Sequence, residues 1–329
     1  MSVTRRDILQ ATAATLLSGA AARAFAQAVP FDTVKIITGF PPGGTSDTIC
    51  RRVASKLAPG YGKTVVVENR AGAGGQIAVQ TFKSMAPDGA SLLQTPMSML
   101  GVYPHIYKKL QYDPVNDVMP VSLGATFDFG FAVGPAVPAT VRTVPEFLAW
   151  CKANPTQANF GSPGAGAVPH FIGVLIGRSA GVDLKHVPYR GTQPAILEMI
   201  GGQVQAVSGP VGEFTQHVAA GKCRLLGTTG TQRSKFAPTV PTLLEQGLKD
   251  MAFNEWFGFY LPAKATPEVV QRANAALRAA LAEREVIDGL EVMGLEAKSS
   301  SPAELGAMLK ADTERWGPVV KAIGFTADS

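Results

Sequence analysis

Short apolar runs alternate with longer amphipathic segments along most of the chain. The runs "VKIIT" (34–38), "KTVVVEN" (63–69), "ASLLQT" (90–95), "FGFAVG" (129–134), "QVQAVSG" (203–209) and "CRLLGTTG" (223–230) are the right length for buried strands. Between them, "SDTICRRVASKLA" (46–58) places Ile49, Val53 and Leu57 four apart, which makes one apolar stripe with Arg51, Arg52 and Lys56 on other faces. The pattern predicts repeated β-α units around largely parallel sheets, an α/β fold. At the end, "TPEVVQRANAALRAALAEREVIDGLEVMGL" (266–295) and "SPAELGAMLKADTERWGPVVKAIGF" (301–325) predict two long helices. Each opens with Thr-Pro or Ser-Pro, which puts proline at the first helical position.

Two strand-to-helix junctions are rich in glycine and proline. After "VKIIT" comes "GFPPGGTSD" (39–47); the arrangement returns in "ANFGSPGAGAVPHFIGVLIG" (158–177). Gly43 and Gly44 permit close backbone approach, and Thr45 or Ser46 is placed to cap the following helix. The free amides and partial positive charge of a helix start suit a carboxylate. Asp47 in that first turn would repel an anion beside it, so it either orients the loop or accepts a bond from a ligand hydroxyl or ammonium. The second loop, Gly161, Ser162, Pro163, Gly164, Ala165 and Gly166, has still more bare backbone, and His170 after it reads as a packing or loop-orienting residue. Two such loops on two lobes would face each other across a cleft.

The ends set the compartment. "MSVTRRDILQATAATLLSGAAARAFAQ" (1–27) has a charged start, an apolar middle and an A-x-A exit at Ala24–Ala26, which predicts an export signal over 1–26; the Arg5-Arg6 pair resembles a twin-arginine leader. The expected destination is the periplasm. The apolar middle is too short to span a bilayer, so no membrane insertion is expected.

Charge and cysteine content narrow the chemistry. The net charge of +5 loses the leader's three arginines and one aspartate, leaving +3. The basic residues are scattered, which argues against nucleic acid and suits a small anion. Cys50, Cys151 and Cys223 read as buried apolar residues, and the four histidines show no ligand spacing, so neither metal nor cofactor is expected. "ENRAGAGGQIA" (68–78) lacks a full G-x-G-x-x-G, and there is no G-x-S-x-G elbow or phosphate-binding loop. Asn69 and Arg70 are read as shaping a turn against the first loop. An enzyme using Ser46 or Ser162 as nucleophile would need a base that the sequence does not supply nearby.

Seven motifs in order, "ITGFPPGGTSD", "VVVENRAGAGG", "APDGASLL", "NFGSPGAGAVPH", "VPYRGTQPAILEMIGGQV", "VPTLLEQG" and "WFGFYLPAKATPEVV", closely resemble the Bug receptors, extracytoplasmic solute-binding proteins of tripartite tricarboxylate transporters. The resemblance spans nearly the whole chain after the leader. It implies a two-lobed periplasmic binding protein fold, with lobe 1 over 27–125 and 253–329 and lobe 2 over 126–252. It also implies a monomer that catalyses nothing, binds a small organic carboxylate and delivers it to membrane permease subunits; the same fold acting as a ligand sensor is the alternative.

Carried over by matching letters, the ligand-binding loops are Phe40 to Asp47 (Phe40, Pro42, Gly43, Gly44, Thr45, Ser46, Asp47) and Gly161 to His170 (Gly161, Ser162, Gly164, Ala165, Val168, His170). Ser208 and Gly209, at a strand's carboxyl end, fall where the chain departs from the family pattern: Gln205 replaces a usual Asp, and "AVSGPVGEF" replaces a more polar stretch. Phe40, Phe127, Tyr189 and, if it reaches the cleft, Trp256 are aromatic candidates for stacking on the cargo. A dicarboxylate bridging the two helix starts is the expected ligand.

Overall fold

The structure is a computed structural model that describes residues 31–327; the expected export signal lies outside the described residues. Two sheets carry the architecture. The first has the order β11-β4-β10-β3-β1-β2, built from β1 (Phe31–Thr38), β2 (Gly62–Asn69), β3 (Ser91–Pro96), β4 (Val118–Phe127), β10 (Glu255–Pro262) and β11 (Glu296–Ala297). The second has the order β7-β6-β8-β5-β9, from β5 (Phe129–Val133), β6 (Asn159–Ser162), β7 (Lys185–Pro188), β8 (Ala206–Pro210) and β9 (Arg224–Thr228).

Most strands in each sheet run one way, with one reversed strand inserted inside each sheet and the short β11 also reversed at the edge of the first. In the first sheet β10 pairs antiparallel with both β3 and β4; in the second β5 pairs antiparallel with both β8 and β9. All eight residues of β10 are buried. A strand covered on both faces needs such a continuous run, and "EWFGFYLP" supplies it.

Helices cover the sheets. Helix α1 (Thr45–Leu57) buries Ile49, Val53 and Leu57 as its periodicity predicts. α2 (Gln76–Phe82) and α3 (Met97–Gly101) follow in the first half; α4 (Val144–Ala153), α5 (Val168–Ser179), α6 (Thr192–Ile200) and α7 (Val211–Ala219) accompany the second sheet. The chain then returns to the first sheet with α8 (Pro267–Ala282), α9 (Arg284–Glu291) and α10 (Pro302–Ile323).

Both proline starts appear as read. The Thr266 hydroxyl accepts from the Val269 N–H at the head of α8, and Ser301 forms a reciprocal capping box with Glu304 at the head of α10. The first long helix pattern, however, is two helices. The chain turns extended at Glu283 (φ −66°, ψ 130°), which lets α9 swing round to bury Val286 and Leu290. No glycine or proline marks that break, so tertiary packing overrides an uninterrupted local helix preference there.

The chain crosses between the sheets twice. Asp128 alone separates β4 from β5, and residues 229–254 return from β9 to β10. The two crossings are tied together by the Asn254 Nδ2 donor and Asp128 Oδ1. Helix α10 straddles both halves: Trp316 packs edge-on against Phe253 and tilted against Phe171 of α5, and the Arg178 guanidinium donates to the Ala322 and Ile323 carbonyls.

Candidate ligand-binding site

The first glycine loop is a rigid turn between β1 and α1. Asp47 holds it: its carboxylate accepts from the Gly43 N–H (3.0 Å), from Asn69 Nδ2 (2.9 Å) and from Arg51 Nε (2.8 Å). Asn69 also donates to the Phe40 carbonyl at 2.9 Å, whereas Arg70 turns to Glu68. Of the two roles open to Asp47 in the sequence, the geometry displays loop orientation. Burial raises its pKa, but Arg51, the Gly43 amide and Asn69 outweigh this, and the carboxyl lies below its ordinary value.

The cap of α1 departs from expectation. Gly44 occupies the N-cap position and supplies no side chain; Thr45 and Ser46 are already helical. The capping group comes from the other sheet. Glu213, in the first turn of α7, accepts from the Thr45 N–H (3.2 Å) and the Thr45 hydroxyl (3.0 Å) on Oε1, and from Gln193 Nε2 (3.2 Å) on Oε2. The side chain is 7% exposed. Burial raises its pKa against the opposing pull of Thr45 and Gln193.

Two glycines, one with little room for a Cβ and one with none, make this approach possible. A Cβ on Gly44 would sit 3.3 Å from Glu213 Oε1, and one on Gly212 would sit 1.6 Å from the Met293 carbonyl oxygen, so the head of α7 can press against residues 293–294 only as glycine. Sequence reading missed Glu213; the run "GPVGE" after a strand end is the signal that was there to find.

A cavity lies beside this contact, between the sheets. It is lined from the first half by Phe40, Pro41, Pro42, Gly44, Thr45, Ser46, Pro96, Ser98, Phe127 and Phe257, and from the second by Phe129, Pro163, Ala167, Pro169, Gly191, Thr192, Gln193, Pro210 and Glu213. At about 60 Å³ it has room for only a few waters. The two halves meet tightly around it: the Tyr107 hydroxyl donates to the Ala165 carbonyl at 3.2 Å, and a Cβ on Gly164 would lie 3.2 Å from the Gly74 Cα.

Among the residues expected at the site, Phe40, Pro42, Gly44, Thr45 and Ser46 come together at this cavity, and so does Phe127. Ser46 also bonds the Thr38 hydroxyl beneath it at 2.9 Å. Gly43 and Asp47 do not line the cavity. In the second loop, Pro163, Ala167 and Pro169 border the cavity, whereas Gly161, Ser162, Gly164, Ala165, Val168 and His170 do not. The Tyr189 ring covers Gly161, close enough that a Cβ there would meet it at 2.9 Å. Trp256 turns away to donate to Asp312 at 2.7 Å, and its neighbour Phe257 takes the cavity wall. Gly209 packs under Thr192, and the Ser208 hydroxyl is buried without a partner among the described residues.

Behind the second loop the histidines pair in a way their spacing hides. His170 and His186 stack with ring centroids 3.9 Å apart; His170 Nδ1 accepts from the Gly166 N–H (3.1 Å), and His186 Nε2 lies 2.7 Å from the Ser162 hydroxyl. Burial pushes the His170 pKa down to about 4; burial and then the His170 charge push His186 down to about 3. Both rings are therefore neutral at physiological pH, and His170, accepting on Nδ1, carries its proton on Nε2.

Cys50, Cys151 and Cys223 are free and buried. Among the described residues there is no group of three or more metal-ligating side chains, and no helix is long and apolar enough to cross a membrane.

Two mixed sheets joined by two crossings, with a cavity between them at paired strand-to-helix loops, define the periplasmic binding protein class. The chain belongs to the tripartite tricarboxylate transporter receptor family, whose model matches residues 49–325. Solved structures agree. The periplasmic binding protein BugD superposes with a TM-score of 0.85 at 27% identity, covering 92% of this chain and all (100%) of that one. MatC from Rhodopseudomonas palustris, with bound malate, gives 0.82 at 26% identity over 89% of this chain and 100% of its own. A second R. palustris protein, Rpa4515, with adipate, gives 0.84 at 25% identity over 90% of this chain and 98% of its own.

Proposed function

We propose that this protein is a periplasmic receptor that closes its two halves over a small organic carboxylate and passes it to the membrane permease of a tripartite tricarboxylate transporter, catalysing no reaction itself. The observation that carries the reading is the cavity where two glycine loops, each opening a helix, converge from opposite sheets. Helix starts and bare backbone bind an anion without fixing it covalently. A charge-assisted hydrogen bond contributes about 1.5–3 kcal/mol, so a few of them with closure reach the roughly 8 kcal/mol of micromolar, releasable binding. The structural neighbours solved with malate and with adipate support a carboxylate as cargo.

The lobes are proposed as 27–125 with 253–329, and 126–252, with one adjustment. Thr126 and Phe127 still pair with Trp256 and Glu255 in the first sheet, so the border is better drawn at Asp128. Residues 1–26 are proposed as the export leader. The hydrolase alternative gains a Ser162–His186 contact, but Ser162 is fully buried and neither residue borders the cavity.

Thermal-shift measurements against a panel of mono- and dicarboxylates test the reading, because a ligand bound only to the folded state raises the melting temperature. A saturable rise with at least one carboxylate, together with loss of uptake in cells lacking the permease, is expected. A panel without any shift would remove carboxylate capture.

A further inference from the structure

The helix start that would attract a ligand carboxylate already holds a carboxyl group of the chain itself. The head of α1 should hold a ligand carboxylate, yet the chain's own Glu213 is there already, buried and with both oxygens bonded to Thr45 and Gln193. Among the described residues, no lysine, arginine or histidine lines the cavity to neutralise a second negative group next to it. The rest of the wall is mostly apolar, dominated by Phe40, Phe127, Phe129 and Phe257, with Ser46, Ser98, Thr192 and Gln193 as its neutral polar members beside Thr45.

We propose that Glu213 is the specificity-determining residue: it takes the place of one ligand carboxylate at the start of α1, so the cargo is a monocarboxylate with an apolar or aromatic body and not a dicarboxylate. The inference rests on the carboxylate-receptor reading above. A diacid would have to eject Glu213 from three donors or set its second carboxylate against a carboxyl group that those donors already occupy, where burial removes the water that would screen the two oxygen pairs from each other. A monoacid has neither conflict: it leaves Glu213 on Thr45, gives its body to the four phenylalanines, and needs one helix start instead of two. Gly44 and Gly212 fit this role, since each leaves room that the Glu213 contact uses. The diacids held by MatC and Rpa4515 are cargo of those proteins; Glu213 would separate this receptor from them in selectivity within a shared fold.

The experiment is calorimetric titration of wild type, E213A and E213Q with matched pairs, hexanoate against adipate and benzoate against terephthalate, with 6-aminohexanoate as a third probe. Melting curves establish that each variant is folded; E213Q keeps the side chain's shape and its acceptor oxygen should one variant be unstable. Wild type is expected to bind a monoacid at least about ten-fold more tightly than its matched diacid, and both variants to narrow that ratio by about ten-fold or more, chiefly by gaining diacid affinity. Equal or tighter diacid binding by wild type overturns the proposal, whatever the variants do. So does a ratio unchanged in the folded variants. Tightest binding of 6-aminohexanoate by wild type, lost in both variants, would make Glu213 a direct contact for a ligand ammonium and would also overturn it. Absence of binding by every acid to all three proteins is a different failure, which removes the carboxylate-receptor reading itself and this inference with it.

Discussion

Gly44 and Glu213 sit so close across the two halves that a methyl group on the glycine would lie 3.3 Å from the glutamate Oε1. The Gly44 backbone itself is ordinary, at φ −83° and ψ 177°, so a larger residue meets no conformational barrier there. G44V should therefore fold but displace Glu213 from Thr45, weakening a contact of charge-assisted bonds by about 2 kcal/mol or more. Small-angle scattering of the ligand-free protein should show a larger radius of gyration for G44V than for wild type. Equal radii would mean that the Glu213 contact does not hold the halves together.

Asp47 anchors the loop through three donors, and its replacement leaves the Gly43 amide without its acceptor and Asn69 with the Phe40 carbonyl alone. D47A is expected to cost about 3 kcal/mol of stability and to weaken carboxylate binding through loop disorder. D47N should recover part of both, because an amide oxygen still accepts from one or two of the same donors. Chemical denaturation resolves the stabilities; a D47A protein as stable as wild type would show the loop is held by its prolines alone.

The stacked His170 and His186 make the protein sensitive to mild acid. Both are held neutral, with pKa values of about 4 and about 3 against an ordinary 6.5, so the unfolded chain takes up protons that the folded one refuses. Their contribution is complete above pH 6.5 and is lost as pH falls from there through the folded values, about 2 kcal/mol for one imidazole by pH 5. H186F removes one titrating ring and keeps an aromatic face for His170. Its melting temperature should fall less than that of wild type between pH 7 and pH 5; parallel profiles would sink this account.

Glu255 acts in the opposite sense. It is fully buried at the start of β10, with Oε2 unpartnered among the described residues, and burial pushes its pKa up to about 8. The Asp312 charge also raises it, the Trp256 and Met97 amides and Arg315 pull it down, and the buried phenols of Tyr103 and Tyr260 lie near. Between the ordinary 4.5 and about 8 the folded protein keeps a proton that the unfolded chain gives up, so this residue's contribution to stability falls as pH rises across that window. E255Q should gain melting temperature relative to wild type at pH 8 and gain little at pH 5. An advantage independent of pH would indicate a packing effect instead.

Local signals carried much of this structure into the sequence. The β-branched run "VKIIT", the Ile49-Val53-Leu57 stripe and the Thr-Pro and Ser-Pro helix starts depend on neighbours within a few residues, and they read correctly. The two glycine loops were visible for the same reason. What stayed hidden depends on distance along the chain: Glu213 caps a helix 168 residues before it, and His186 reaches a ring 16 positions away on a different element. Neither leaves a periodic mark. The break at Glu283 was hidden because nothing local causes it, only the burial of Val286 and Leu290. The choice between Trp256 and Phe257 at the cavity follows from strand alternation, which fixes that neighbours face opposite ways but not which of them faces the cleft.

The insertion of β10 between β3 and β4 also orders events in time. The second sheet is made from one unbroken stretch, 129–228, and its strands can find one another as soon as that stretch is available. The first sheet has a gap where residues 255–262 belong, so β3 and β4 wait, edges open, for a strand made well over a hundred residues after β3. Pairings of such long range are slow to form and leave unpaired edges open to the wrong partner meanwhile. The two halves therefore differ in when their strands become available: every strand of the second sheet precedes β10, and the first sheet has all its inner strands only once residues 255–262 have been made.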